Sequence, residues 1–242
     1  MTSNGLPFDV RSTTAPRPLG SDVFVLIHGI GTSHRYLTRL HAELSAEADV
    51  HSIDLPGFGG VPKPGSSPDI HTMATALAAL LDQLGVEHAV VVGHSMGAQW
   101  TVELGVLRPD LVAHLVLIGP VTDDTHRSLP YQMFTLTRDV LGEPPFVNLT
   151  VFADYLRCGP RWFLNQSRFM IPYPIEDRLR RLGMTVLVLR GGNDPIATTE
   201  WCRRLVRRAV RGRLVVVPGH RHVVQFTAPR SVASAIRFFL TD

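Results

Sequence analysis

Gly93-His94-Ser95-Met96-Gly97 sets a serine between two glycines in a G-x-S-x-G pattern, directly after the apolar run Ala89–Val92 and ahead of a helical stretch, Ala98–Arg108. A serine at a sharp strand-to-helix turn takes a strained backbone conformation, and the residues two before and two after it must lack bulk so that the chains approach. Its hydroxyl then stands clear of the sheet beside a helix N-terminus, which favours negative charge. Alone it is a weak nucleophile. It needs a base whose tautomer is fixed by a carboxylate. Asp194 lies in Arg190-Gly191-Gly192-Asn193-Asp194-Pro195-Ile196, a turn after the run Thr185–Leu189, and Asp123 and Asp124 follow Leu115–Ile118 as further acids. Beyond Leu214–Val217, Pro218-Gly219-His220-Arg221-His222 offers two histidines as the base. The chemistry these residue types support is acyl transfer through a serine. A His-x-His metal pair finds no third ligand motif.

These groups need a scaffold. Six short, β-branched-rich runs recur at Val23–Ile27, Val50–Ile53, Ala89–Val92, Leu115–Ile118, Thr185–Leu189 and Leu214–Val217. None alternates, as expected of strands covered on both faces. Between most of them lie helical patterns. Ile70, Met73, Ala74, Leu77, Leu80, Leu81 and Leu84 form one apolar stripe, with Ser67 as the expected N-cap and Pro68 at the first helical position. Leu205, Val206 and Val210, then Val232, Ile236, Phe239 and Leu240, predict two helices near the C-terminus. Strand alternating with helix predicts an α/β fold with a doubly wound, mainly parallel sheet. Gly57–Ser67 reads as a Gly/Pro-rich loop.

The alternation breaks between Ile118 and Thr185. This stretch has no strand run but holds many aromatic residues, including Tyr131, Phe134, Phe146, Phe152, Tyr155, Trp162 and Phe163. It is too long for a connecting loop and predicts a helical insertion over the C-terminal edge of the sheet. Its aromatics would form either an apolar acyl pocket or the insertion's own small core.

His28-Gly29-Ile30-Gly31 after the first run, Asp54-Leu55-Pro56-Gly57-Phe58-Gly59 after the second, the Gly93–Gly97 elbow, the Gly191–Asp194 turn and the closing histidine segment occur in that order. In this the chain resembles the α/β-hydrolase fold family over nearly its whole length. The resemblance implies a core domain of residues 1–120 and 183–242 with a helical cap at 121–182. The family's closing pattern sets the histidine seven residues ahead of a proline that starts the last helix, and counting back from Pro229 gives His222. His220 is then left to loop hydrogen bonding. The resemblance also implies an oxyanion hole of the Met96 and Ile30 amides, and structural turn roles for His28 and Asp54.

The expected activity is that of a cofactor-independent, metal-free serine hydrolase acting on an ester-type bond of a small, apolar molecule through Ser95, His222 and Asp194. Relatives with the Asp-Leu-Pro-Gly-Phe-Gly segment include C–C hydrolases of dienoic keto acids, which hold an acidic substrate with insertion-borne arginine, and Arg157, Arg161 and Arg168 are available. Some members of the fold are ligand-binding modules, usually with a broken triad.

The 242 residues are 45% hydrophobic and 19% charged, enough to bury a large core and to exclude a disordered or fibrous chain. Cys158 and Cys202 are expected as reduced thiols. The formal charge is +3, and Lys63 is the only lysine. Arg203, Arg204, Arg207, Arg208, Arg211 and Arg213 have the spacing of one helix face, which could contact phosphate or acidic lipid and otherwise reads as a solvated helix whose arginine stems cover apolar surface. No nucleic-acid-reading motif accompanies them. The first 22 residues show no leader pattern and no run approaches 18 apolar residues, so a cytoplasmic protein without a membrane span is expected.

Overall fold

The computed structural model describes residues 1–16 and 23–241. Residues 17–22, the end of the segment read for a leader, lie outside them. The chain opens with a small antiparallel ribbon, β1 (Thr2–Ser3) and β2 (Leu6–Pro7), turned at Asn4 and Gly5 with φ of 46° and 75°. Positive φ at both central residues is the hairpin geometry that an Asn-Gly pair favours.

The six apolar runs become six strands of a seven-stranded sheet: β4 (Val23–Ile27), β5 (Val50–Asp54), β6 (Ala89–His94), β7 (Val112–Ile118), β8 (Thr185–Gly191) and β9 (Arg211–Val217). The seventh, β3 (Asp9–Thr13), pairs antiparallel with β5 at one edge, and all other pairings are parallel. The order is β3-β5-β4-β6-β7-β8-β9. Because β4 lies between β5 and β6, the chain winds one way from β4 and then the other. The crevice beyond the C-terminal ends of β4 and β6 is where such sheets receive ligands.

Helices cover both faces. α2 (Ile70–Gln83), α3 (Gly97–Leu107) and α8 (Thr199–Arg208) bury Leu77, Leu81, Trp100 and Leu205 against Val25, Val91, Leu115 and Val186. α1 (Thr38–Leu44), the short α9 (Val224–Thr227) and α10 (Pro229–Thr241) pack Leu40, Leu44, Val224, Val232 and Ile236 on Leu26, Val92, Val116 and Leu187. Central strands buried on both sides account for the missing alternation.

Two details depart from expectation. α2 starts at Ile70, capped by Asp69, whose Oδ1 accepts the Thr72 amide at 2.7 Å, rather than at Pro68 behind Ser67. Proline biases the residue before it away from helical backbone but does not oblige a helix to follow. The arginine cluster also does not form one helix face. α8 ends at Arg208 with an extended Ala209, and Arg211 and Arg213 belong to the edge strand β9.

Between β7 and β8 the chain is helical: α4 (Leu129–Val140), α5 (Pro145–Cys158), α6 (Pro160–Met170) and the short α7 (Ile175–Arg178). Its punctuation is written in the sequence. Ser128 caps α4, proline stands in the first turn of α4, α5 and α6, and Gly159 at φ 72° separates α5 from α6. Among the described residues no helix is long and apolar enough to cross a membrane.

Candidate active site

Ser95 sits between β6 and α3 with φ 57°, one of three non-glycine residues described at positive φ. Such a backbone is costly for a residue with a Cβ and is held here by its surroundings. The Ser95 amide donates to Ile118 O at 2.9 Å, which ties the turn to the end of β7. A Cβ on Gly93 would lie 2.5 Å from Gly97 O, and one on Gly97 would lie 2.6 Å from His28 O, so both glycines are required by close approach.

The loop after β4 lies against this turn, with a Cβ on Gly29 only 2.9 Å from Ser95 Cβ. Met96 is fully buried and Ile30 nearly so, yet neither amide donates to an acceptor among the described residues. Two unpaired buried amides beside a serine hydroxyl are uncommon, because such donors are normally satisfied.

Asp194 follows β8 and is buried. Its Oδ1 accepts the amides of Ile196 and Ala197 at 2.8 and 3.0 Å, and its Oδ2 accepts from His222 Nδ1 at 2.9 Å. The proton of the His222 ring therefore resides on Nδ1, and Nε2 is left as the basic atom. Burial opposes ionisation of Asp194, but the charge and hydrogen bond of His222 and the two amides outweigh it and hold its pKa below the usual range. Burial likewise opposes a charged His222. Asp194, Asp139 and Glu143 outweigh it, and the pKa rises above its ordinary value.

The other candidates lie elsewhere. His220 Nδ1 bonds to Thr227 Oγ1 at 2.9 Å. Asp123 and Asp124 both pair with Arg204 of α8, at 2.5 and 2.9 Å. His28 donates from Nδ1 to Gly29 O at 2.7 Å and accepts the Leu55 amide at Nε2 at 3.1 Å, which leaves it no atom for catalysis. Asp54 accepts both the amide and Nδ1 of His34, at 2.5 and 2.6 Å.

Several functional neighbours were not legible. His94 is the second letter of the serine motif, and its residue type there carries no sequence signal of what it touches. Its Nε2 donates to His222 O at 3.0 Å, so its Nδ1 accepts from the Tyr36 hydroxyl at 2.6 Å, and that oxygen accepts the Gly29 amide at 2.6 Å. One chain of hydrogen bonds thus joins the ends of β4 and β6 to the histidine loop. Burial, with the adjacent His222, pushes His94 down to about 3, so it stays neutral.

The segment from α4 to α5 brings three buried carboxylates to this neighbourhood. Asp139 accepts the His222 amide at 3.2 Å and pairs with Arg221 Nε at 3.4 Å, and Glu143 accepts the Val223 amide at 3.1 Å. Asp154 accepts from Ser33 and pairs with Arg35 at 3.0 Å, holding α5 to the loop after β4. Burial raises the pKa of Asp139 and of Glu143. Neither carries a sequence signal: an acid at the end of a helix, as Asp139 is, or in the turn that follows, as Glu143 is, ordinarily means solvation.

Ser95 and His222 open into one cavity of about 750 Å³, counted out to its solvent mouth. Val121, Leu136, Val151 and Met170 give it apolar walls, and Gln132, Asp139, Glu143 and Asn148 its polar points. Among the described residues no arginine lines it. Arg157 pairs with Asp154 at 3.3 Å, and Arg161 and Arg168 are exposed. Of the aromatics, Tyr155 and Phe163 line the cavity, Trp162 is packed inside, and Phe134, Phe146 and Phe152 face outward.

Residues 24–235 match the Alpha/beta hydrolase family. The chain belongs to that family. It is 28% identical over 244 residues to the dihydrolipoyllysine-residue acetyltransferase component of the acetoin cleaving system of Pseudomonas putida, covering 91% of this chain and 64% of that protein, so it spans less than two thirds of that relative. It is 25% identical over 256 residues to Esterase YbfF of Escherichia coli (strain K12), covering 98% and 100% of the two chains. Among solved structures, a thermophilic esterase from Thermogutta terrifontis matches with a TM-score of 0.82 at 22% identity, over 100% of this chain and 97% of that one. The α/β-hydrolase fold expected from the motifs is thereby established.

Proposed function

We propose that the protein is a serine hydrolase that cleaves a carboxylic ester or related acyl bond of a small, apolar substrate. Ser95 Oγ attacks the carbonyl carbon, His222 Nε2 takes its proton, and Asp194 holds the ring and stabilises the imidazolium. The oxyanion is received by the Met96 and Ile30 amides, and removal of one such donor typically costs roughly 10²–10³ in rate. The imidazolium returns its proton to the leaving oxygen, and water, activated by the same nitrogen, releases the acyl enzyme. In this reading residues 1–120 and 183–242 are the catalytic core and 121–182 a cap.

The observation that carries the reading is the meeting of four features. A strained serine, a histidine oriented through Nδ1 by a buried carboxylate, and Ile30 with its unpaired amide line one largely apolar cavity, and the unpaired Met96 amide directly follows the serine. An ester is favoured over an anionic keto acid because, among the described residues, no arginine lines that cavity while the carboxylates of Asp139 and Glu143 do, and they disfavour an anionic group. Turnover of a short-chain chromogenic ester tests the proposal. Ser95→Ala lowers kcat by about 10⁴-fold or more with the fold unchanged by circular dichroism, and near-normal turnover removes Ser95 from the mechanism.

A further inference from the structure

Helix α5 is apolar on two faces. Its inner residues Val147 and Val151 are buried at the cavity, while Phe146, Leu149, Phe152 and Leu156 are 49, 72, 59 and 67% exposed. Their spacing of three, three and four residues draws them into one stripe along the helix. Phe134 and Leu141, at 64 and 83% exposure, add to the apolar surface of the same helical segment. Isolated exposed apolar residues are ordinary, but a helix-long stripe marks an interaction face.

The charges of Leu129–Met170 say which partner fits. All three carboxylates, Asp139, Glu143 and Asp154, are buried, whereas Arg138, Arg157, Arg161 and Arg168 are exposed. The outward charge of the segment is therefore positive only. Arg161 also shares a shallow cleft with Lys63, Ser67 and Asn165, a set of cations and hydrogen-bonding groups suited to phosphate oxygens. A contact with a second copy would bring two positively charged faces together with no exposed carboxylate of this segment to offset them. An anionic lipid surface instead neutralises them while the stripe enters the boundary between headgroups and acyl chains.

We propose that the outer face of α5, together with the exposed Arg161 and Arg168 of the following helix α6, docks on an anionic phospholipid surface, with α5 lying in the interface. This does not depend on the catalytic reading. Cosedimentation of the intact protein with phosphatidylcholine vesicles, with and without phosphatidylglycerol, tests it. The expected result is at least about tenfold stronger partition onto the anionic vesicles, weakened by salt. That partition falls about tenfold in Phe152→Gln/Leu156→Gln and in Arg161→Gln/Arg168→Gln, while the thermal midpoint holds and Ser95→Ala binds like the wild type. Equal or no binding to the two vesicles overturns the proposal, as does binding that either double variant leaves intact. A concentration-dependent dimer that Phe152→Gln/Leu156→Gln dissolves, with no vesicle binding, also overturns it and assigns the stripe to a second copy.

Discussion

The loops at the strand ends and the helices between β7 and β8 build the same cavity by different means. The loops are tied by main-chain bonds: Ser95 N to Ile118 O at 2.9 Å, Gly119 N to Leu189 O at 2.8 Å, Gly192 N to Val217 O at 2.7 Å and Asn193 N to His220 O at 2.8 Å. The helices reach the same place through side chains, with Asp139 and Glu143 gripping the amides of His222 and Val223. Main-chain ties survive changes of side chain, so the sheet end is a rigid place for chemistry. Carboxylate ties are lost with one substitution, so the helical segment is where the charge around that chemistry is set.

Substitutions on the two sides should accordingly differ in size and kind. The largest effect is expected at the sheet end. Asp194→Asn keeps the shape but removes the charge that fixes the His222 tautomer, so kcat/KM for an ester falls by about 10⁴-fold while the thermal midpoint stays close to the wild type. A loss under tenfold would place the acid elsewhere. Next is Gly93→Ala. The added methyl meets Gly97 O, and unfolding in urea should show a loss of about 1–3 kcal/mol. An unchanged midpoint would mean that the elbow is not sterically tight.

The smallest effect belongs to the helices. As the proposed base, His222 would work only when neutral, and its pKa is raised from the usual 6.5, so kcat/KM should fall as pH drops through a value above 6.5. Asp139→Asn or Glu143→Gln removes a negative charge that favours the imidazolium, so the acid limb moves to lower pH while the plateau changes less than about tenfold. A lower plateau with an unmoved limb would show that these carboxylates only hold the loop.

The same division explains what was legible. Ser95, Asp194 and His222 stand where chain order and strand ends leave few alternatives, and turn chemistry marks each position with glycine or proline. β3 was missed because Asp-Val-Arg-Ser-Thr on a sheet edge is mostly polar and partly exposed, without the apolar run that announces an inner strand. Asp139 and Glu143 were missed because a carboxylate on a helix, as Asp139 is, or in a helix-joining turn, as Glu143 is, is ordinarily a solvated residue, and only the tertiary fold turns these two inward. Arg211 and Arg213 continue the helical spacing of α8, but pairing of β9 with β8 takes them into the sheet.

The central claim is that the Ser95 hydroxyl is made nucleophilic by His222 inside the shared cavity. Labelling with a fluorophosphonate, read by mass spectrometry of the intact protein and its peptides, tests it directly. The account predicts a single phosphonyl adduct, on the peptide containing Ser95, formed at least about 10³-fold more slowly in His222→Ala. No adduct on folded protein, an adduct on another residue, or an equal rate in His222→Ala would contradict it.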